Sequence, residues 1–98
     1  MSKSESYKTI SHTWVDIFDD DKETSVSFRF ARPSAAQVKR LQAGAVKNAG
    51  AASYQLLLDT IHPDDKDEFV KAQEQYPALT TTFSGVILKS CGLADLGN

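Results

Sequence analysis

From Thr24 to Arg32 the chain alternates, with Val26, Phe28 and Phe30 on one side and Ser25, Ser27 and Arg29 on the other. Period two with β-branched and aromatic residues predicts a half-buried strand. Upstream, His12-Thr13-Trp14-Val15-Asp16-Ile17-Phe18 is also β-prone, and Asp19-Asp20-Asp21-Lys22 between the two runs suits a turn. Together they predict a β-hairpin within residues 10–32, with strands at about 12–18 and 24–31. Residues 1–8 are read as a disordered, frayed start.

The period changes at Pro33. Ser34-Ala35-Ala36-Gln37 has capping-box spacing, in which the Ser34 hydroxyl accepts from the third helical N–H and Gln37 reaches back. The helix it opens puts Val38, Leu41, Ala45 and Val46 on one face and Lys39, Arg40, Ala43 and Lys47 on the other. Gly44 weakens its second half by roughly 1 kcal/mol relative to Ala, and Asn48-Ala49-Gly50 reads as its stop. A second helix, about 51–61, spaces Tyr54, Leu57, Leu58 and Ile61 as one apolar stripe that Leu56 widens. Pro63 opens a third, where Asp64, Asp65 and Asp67 complement the positive end of the helix dipole. Its apolar side is Phe69, Val70, Ala72 and Tyr76. Beyond Pro77, Leu79, Phe83, Val86, Ile87 and Ser90 recur at helical spacing, which predicts a fourth helix of about 78–91 closed by Gly92. The expected fold is therefore α+β: an N-terminal β-hairpin, then a small bundle of four helices over residues 34–92.

At 98 residues the chain has room for one domain, residues 1–98. Leu, Ile, Val and Phe make up 23 of them, enough to build a core. No apolar run approaches the roughly 18 residues of a membrane span, and residues 1–6 have no apolar stretch behind Lys3, so neither membrane nor secretion is expected. The single cysteine, Cys91, cannot form an internal disulfide or a Cys-based zinc cluster.

The net charge of -2 conceals three blocks. Residues 1–23 sum to -3, residues 24–58 contain no acid and sum to +5, and residues 59–74 sum to -4. Blocks of this kind pair within a fold or between copies, as in a homo-oligomer. The basic helix 35–47 offers an alternative function, a small DNA-associated or regulatory protein. However, its three cations and the chain's pI of about 5.6 fall short of the usual nucleic-acid footprint.

Catalytic chemistry finds little to work with. Cys91 sits beside the last apolar stripe and reads as a small, unreactive core residue. His12 lies in a strand, and His62 reads as a polar residue at a helix junction rather than a base. Asp19-Asp20-Asp21 lacks the spacing of a calcium loop, and His62 with Asp64 and Asp65 makes no complete metal set. The five glycines are scattered, with no phosphate-binding pattern. No catalytic, metal or cofactor residue is therefore assigned, and an enzyme is not expected.

The order of features carries a resemblance. A strand ending in Phe28-Arg29-Phe30-Ala31-Arg32-Pro33 runs into Ser34-Ala35-Ala36-Gln37-Val38-Lys39-Arg40-Leu41. A Leu-Leu-Leu helix then ends in Ile61-His62-Pro63-Asp64-Asp65. Tyr76-Pro77-Ala78-Leu79 and a last helix ending at Cys91-Gly92 follow. Over about residues 24–92 this resembles the small tail assembly chaperones of long-tailed bacteriophages and prophages. The resemblance implies a non-enzymatic protein of the bacterial host cytoplasm that binds the tape-measure protein and keeps its amphipathic helix soluble during tail assembly. Physically, that role needs apolar stripes able to receive a helix. The residues that could supply them are Tyr54, Leu56, Leu57, Phe69, Leu79, Phe83, Ile87 and Leu88.

Overall fold

The computed structural model describes residues 6–92. In chain order it holds β1 (Tyr7–Asp16), β2 (Lys22–Ala31), α1 (Ala35–Thr60), a 3-10 turn (Pro63–Asp65), α2 (Lys66–Gln75) and α3 (Leu79–Ser90). This is an α+β architecture, a two-stranded antiparallel hairpin followed by three helices.

The strand alternation sets the hairpin's two faces. Ile10 lies opposite Phe28, His12 opposite Val26 and Trp14 opposite Thr24, all on the face turned to the helices. The other face is hydroxylated: the Ser11 and Ser27 hydroxyls are 2.7 Å apart and those of Thr13 and Ser25 3.0 Å apart. β1 begins earlier than the sequence predicts, so Tyr7 and Lys8 are in the strand rather than frayed. Residues 1–5 of the expected disordered start lie outside the described residues, as does the tail 93–98. The loop Ile17–Asp21 is held by the Asp16 side chain, which accepts from the Phe18 N–H at 2.9 Å, and by the Lys22 N–H donating to the Asp19 carbonyl at 3.0 Å. Asp20 and Asp21, the middle residues of the turn that this last bond closes, have φ of 53° and 56°, the type I′ pattern.

Ser34 caps α1 with both halves of the capping box formed. The structure has three helices rather than four, because the two expected over 34–47 and 51–61 run together in α1. A single residue, Asn48, is non-helical between its arms. The Asn48 side chain accepts from the Ala51 N–H at 2.9 Å and so caps the second arm. The axis folds back there. A straight helix would set residues 40 and 59 about 28 Å apart, yet Arg40 and Asp59 are 3.4 Å apart across the two arms. Gly44 lies at the close approach of the two arms. A Cβ at that position would lie 3.3 Å from the Ala52 Cβ, so a glycine lets the arms approach closely.

Ile61 ends α1 by bridging Phe30, and the His62 N–H donates to the Arg29 carbonyl at 2.8 Å, which covers the outer edge of β2. The predicted third helix starts as the 3-10 turn before α2 begins at Lys66. Gly92, at φ 104°, closes α3 as expected. The core gathers Phe28 and Phe30 of β2, Leu57 and Ile61 of α1, Phe69 of α2, and Leu79, Phe83 and Ile87 of α3. Its centre is aromatic. Phe69 packs edge-on to Phe28 at 5.4 Å and to Phe83 at 6.3 Å, and stacks with Tyr54 at 6.1 Å. The buried hydroxyls are satisfied: Thr60 donates to the Leu56 carbonyl at 2.9 Å and Thr80 to Gln73 Oε1 at 2.6 Å.

Candidate protein-binding surfaces

The eight protein-binding candidates are each open to a second reading as core, and the structure places most of them there. Leu56, Leu57, Phe69, Leu79, Phe83 and Ile87 are buried, while Tyr54 and Leu88 are half-buried. Leu57, Phe69, Leu79, Phe83 and Ile87 meet in the central cluster with Tyr54 against it, so the stripes face one another rather than a partner. Leu56, which the stripe pattern left on the outside, is only 2% exposed and lies between the arms of α1 beside Leu41, Gly44 and Ala52.

Exposed apolar side chains occur elsewhere. At the hairpin tip Val15 is 55% exposed, Ile17 66% and Phe18 94%. The sequence signal was an apolar pair running straight into three aspartates, a strand end rather than a strand middle. The tip is held against α2: the Tyr76 hydroxyl donates to Asp16 Oδ2 at 2.9 Å, and Trp14 packs edge-on to Tyr76 at 4.8 Å. The Asp16 carboxylate favours the protonated phenol and raises the Tyr76 pKa. Val46, assigned to the buried face of the first predicted helix, is 87% exposed beside the reversal at Asn48.

Several concave surfaces accompany these projections, among them one of about 380 Å³ at the tip itself, lined by Trp14, Val15, Ile17, Phe18 and Tyr76. Another is a cleft of about 460 Å³ between the hairpin and α3, with Ile10, Phe30, Val86 and Ile87 on its walls and Lys8 and Arg32 among its polar residues. Arg32 is anchored by donating to the Ser90 carbonyl at 3.2 Å. A further one is a groove of about 290 Å³ between the arms of α1. Cys91 lies on the cleft and is exposed, so its expected place in the core is corrected: it follows α3, where its N–H donates to the Leu88 carbonyl.

The charge blocks meet within the chain. Arg29 grips Asp65 with two side-chain hydrogen bonds, 3.0 and 2.7 Å, and its backbone N–H donates to the same carboxylate at 2.8 Å. Arg40 of the basic helix faces Asp59, leaving Lys39 and Lys47 exposed on that arm. The hydrogen bonds from Arg29 hold the Asp65 carboxyl below its ordinary 3.8, at about 2. A carboxylate depressed by folding stabilises the native state fully above the ordinary value and loses that contribution as the pH falls through the lower one. Stability should therefore decline between about pH 4 and pH 2, and Asp65→Asn should flatten that part of the profile. Urea titrations of both proteins across the window check this, and an unchanged slope in the variant would remove Asp65 from the account.

Both histidines make defined contacts. His12 stacks on Trp14 at 5.3 Å, while His62 caps the 3-10 turn, its Nδ1 accepting from the Asp64 N–H at 3.0 Å. Among the described residues no group of three His, Cys, Asp or Glu could hold a metal, and no helix is long and apolar enough to cross a membrane.

A comparison with curated proteins finds no match. Among solved structures the chain is similar to the uncharacterised protein rbstp2171 from Bacillus stearothermophilus, at 19% identity and a TM-score of 0.72, covering 93% of this chain and 88% of that one. At that identity the likeness concerns the fold alone. A family profile for a domain of unknown function matches residues 4–98, and on that match the chain belongs to the DUF6848 family.

Proposed function

We propose that this protein is a non-enzymatic binding module of the bacterial host cytoplasm, a tail assembly chaperone that holds an amphipathic helix of the tape-measure protein. The observation that carries the reading is the open apolar cleft between the hairpin and α3. Its walls of Ile10, Phe30, Val86 and Ile87 offer one helical face a dry seat, and the nearby Lys8 and Arg32 suit a polar margin on the guest. The resemblance over residues 24–92 supplies the identity of the guest. The arrangement differs from the one expected of the sequence, since of the eight candidate residues Ile87 alone lines this cleft.

The test is a titration with amphipathic helical peptides cut from a tape-measure protein. A binding isotherm is expected, weakened by Val86→Asp, because Val86 is exposed on the cleft wall and its replacement spares the core. A scrambled peptide that binds equally well, or a Val86→Asp variant that binds unchanged, would count against the cleft. Flanking genes for a tail tube and a tape measure are the expected genomic setting.

A further inference from the structure

We propose that two copies of this chain pair edge to edge through β1, antiparallel, so that the two hairpins become one four-stranded sheet with His12 facing His12 across the two-fold axis. The contact is made by a strand edge and stands without the chaperone reading.

β1 is an edge strand with few of the usual guards. Its ten residues pair one to one with β2, without a bulge or a proline. The outer edge of β2 is covered at Phe30 and Arg29 by Ile61 and His62. Among the described residues, no backbone group of residues 7–15 bonds to any element but β2, so the outward N–H and C=O groups of β1 are unpaired. An edge of this length is a template for another strand. The helices sit mainly under the other strand. Phe28 and Phe30 of β2 are buried, whereas Ile10, His12 and Trp14 of β1, on the same face, are only half-buried. A further strand beside β1 would cover them.

The residues of β1 specify which strand. Inner-face residues must lie opposite inner-face residues, or the apolar side of one copy would turn to water. With His12 on the axis, Lys8 lies opposite the second copy's Asp16, Ile10 opposite its Trp14, and Ser11 opposite its Thr13. Cation meets anion and apolar meets apolar on the inner face. On the outer face hydroxyl meets hydroxyl, as Ser11 and Ser27 already do within the hairpin. The neighbouring registers lose this match: an axis at Ser11 sets Lys8 against Trp14, and an axis at Thr13 sets Ile10 against Asp16. Neither Lys8 nor Asp16 has an ion-pair partner among the described residues. Asp16 accepts one bond at each oxygen, from Phe18 and Tyr76, and keeps a lone pair on each for a lysine. β1 is thus complementary to itself, which is what an isologous two-fold contact requires.

Cross-linking reads the register directly. Ser11→Cys and Thr13→Cys are each made in a Cys91→Ser background, all three at exposed positions. Under a mild oxidant, a mixture of the two should form disulfide-bonded dimers, because opposite residues of an antiparallel pair lie about 4.5–5.5 Å apart at Cα. Either alone should form far fewer, since the same position in the other copy lies diagonally, about 7–8 Å away. In the unmodified protein, sedimentation velocity should show a dimer that grows with concentration and nothing larger, because pairing uses up the open edge. Amide exchange in β1 should slow as that dimer forms. Lys8→Glu, which sets two acids opposite each other at an exposed position, should weaken association by about tenfold while leaving the monomer's thermal melt unchanged. A monomer at every concentration would overturn the proposal. So would cross-linking of Ser11→Cys or Thr13→Cys alone as fast as the mixture, which marks another register. A dimer whose β1 amides exchange as in the monomer would also overturn it, since the contact then lies on another surface.

Discussion

Phe69→Ala is expected to unfold the domain or bring it close to unfolding. Phe69 has no exposed surface and packs against Phe28, Phe30, Tyr54 and Phe83, rings contributed by β2, α1 and α3. Truncating a buried phenylalanine costs about 3–5 kcal/mol, from lost burial and the cavity left behind. A chain of this size has about 5–15 kcal/mol in all. Because the ring joins elements on three sides, little local collapse can refill the space. Phe69→Leu should lose less, since more of the volume stays filled. Urea melts of the three proteins give the order, and an Ala variant with the wild-type midpoint would mean that Phe69 is not at the centre.

Leu56→Lys is expected to be nearly as damaging, although the helical stripe alone would place it on the surface. In the folded chain Leu56 lies between the two arms of α1, where Gly44 and Ala52 draw the helices together. A lysine there must give up the leucine's packing and carry its ammonium out along the groove past Arg40 and Asp59, or force the arms apart, and either course costs packing and desolvation. The loss should show as helix content by circular dichroism, with a lowered melting point. Leu88→Lys, at a half-buried position outside the central cluster, serves as the milder control. If Leu56→Lys melts like Leu88→Lys, the arms are not closed on that side chain.

What could be read from the sequence was local. The alternation over 24–31, the Ser34 capping box and the Gly92 cap each depend on a few neighbouring residues, and each formed in place. So did the break at Asn48, although its consequence was not legible: a stop signal does not say in which direction the chain leaves. That direction decides the fate of Leu56, buried by the returning arm, and of Val46, left in water beside the reversal. The Arg29–Asp65 pair joins residues 36 apart, and only the docking of the 61–65 segment on the edge of β2 brings them together. The sequence showed opposite charge blocks without saying which members would meet. The burial of most of the protein-binding candidates has a related reason. A helical stripe marks a face that will be covered, and in a chain this short the other stripes were sufficient to cover it.

The turn at the hairpin tip has a consequence of its own. Asp20 and Asp21 hold the left-handed backbone of a mirror-image turn, where an L residue other than glycine is strained by roughly 1–2 kcal/mol and Asn-Gly would rest more comfortably. Asp20→Asn/Asp21→Gly should therefore tighten the hairpin and raise the melting point while removing two charges from its end. The chain carries at this point a sequence less suited to folding than one two substitutions away. Handedness alone sets the preference at these two positions, so the melting point of the double variant measures what the turn's backbone costs the hairpin.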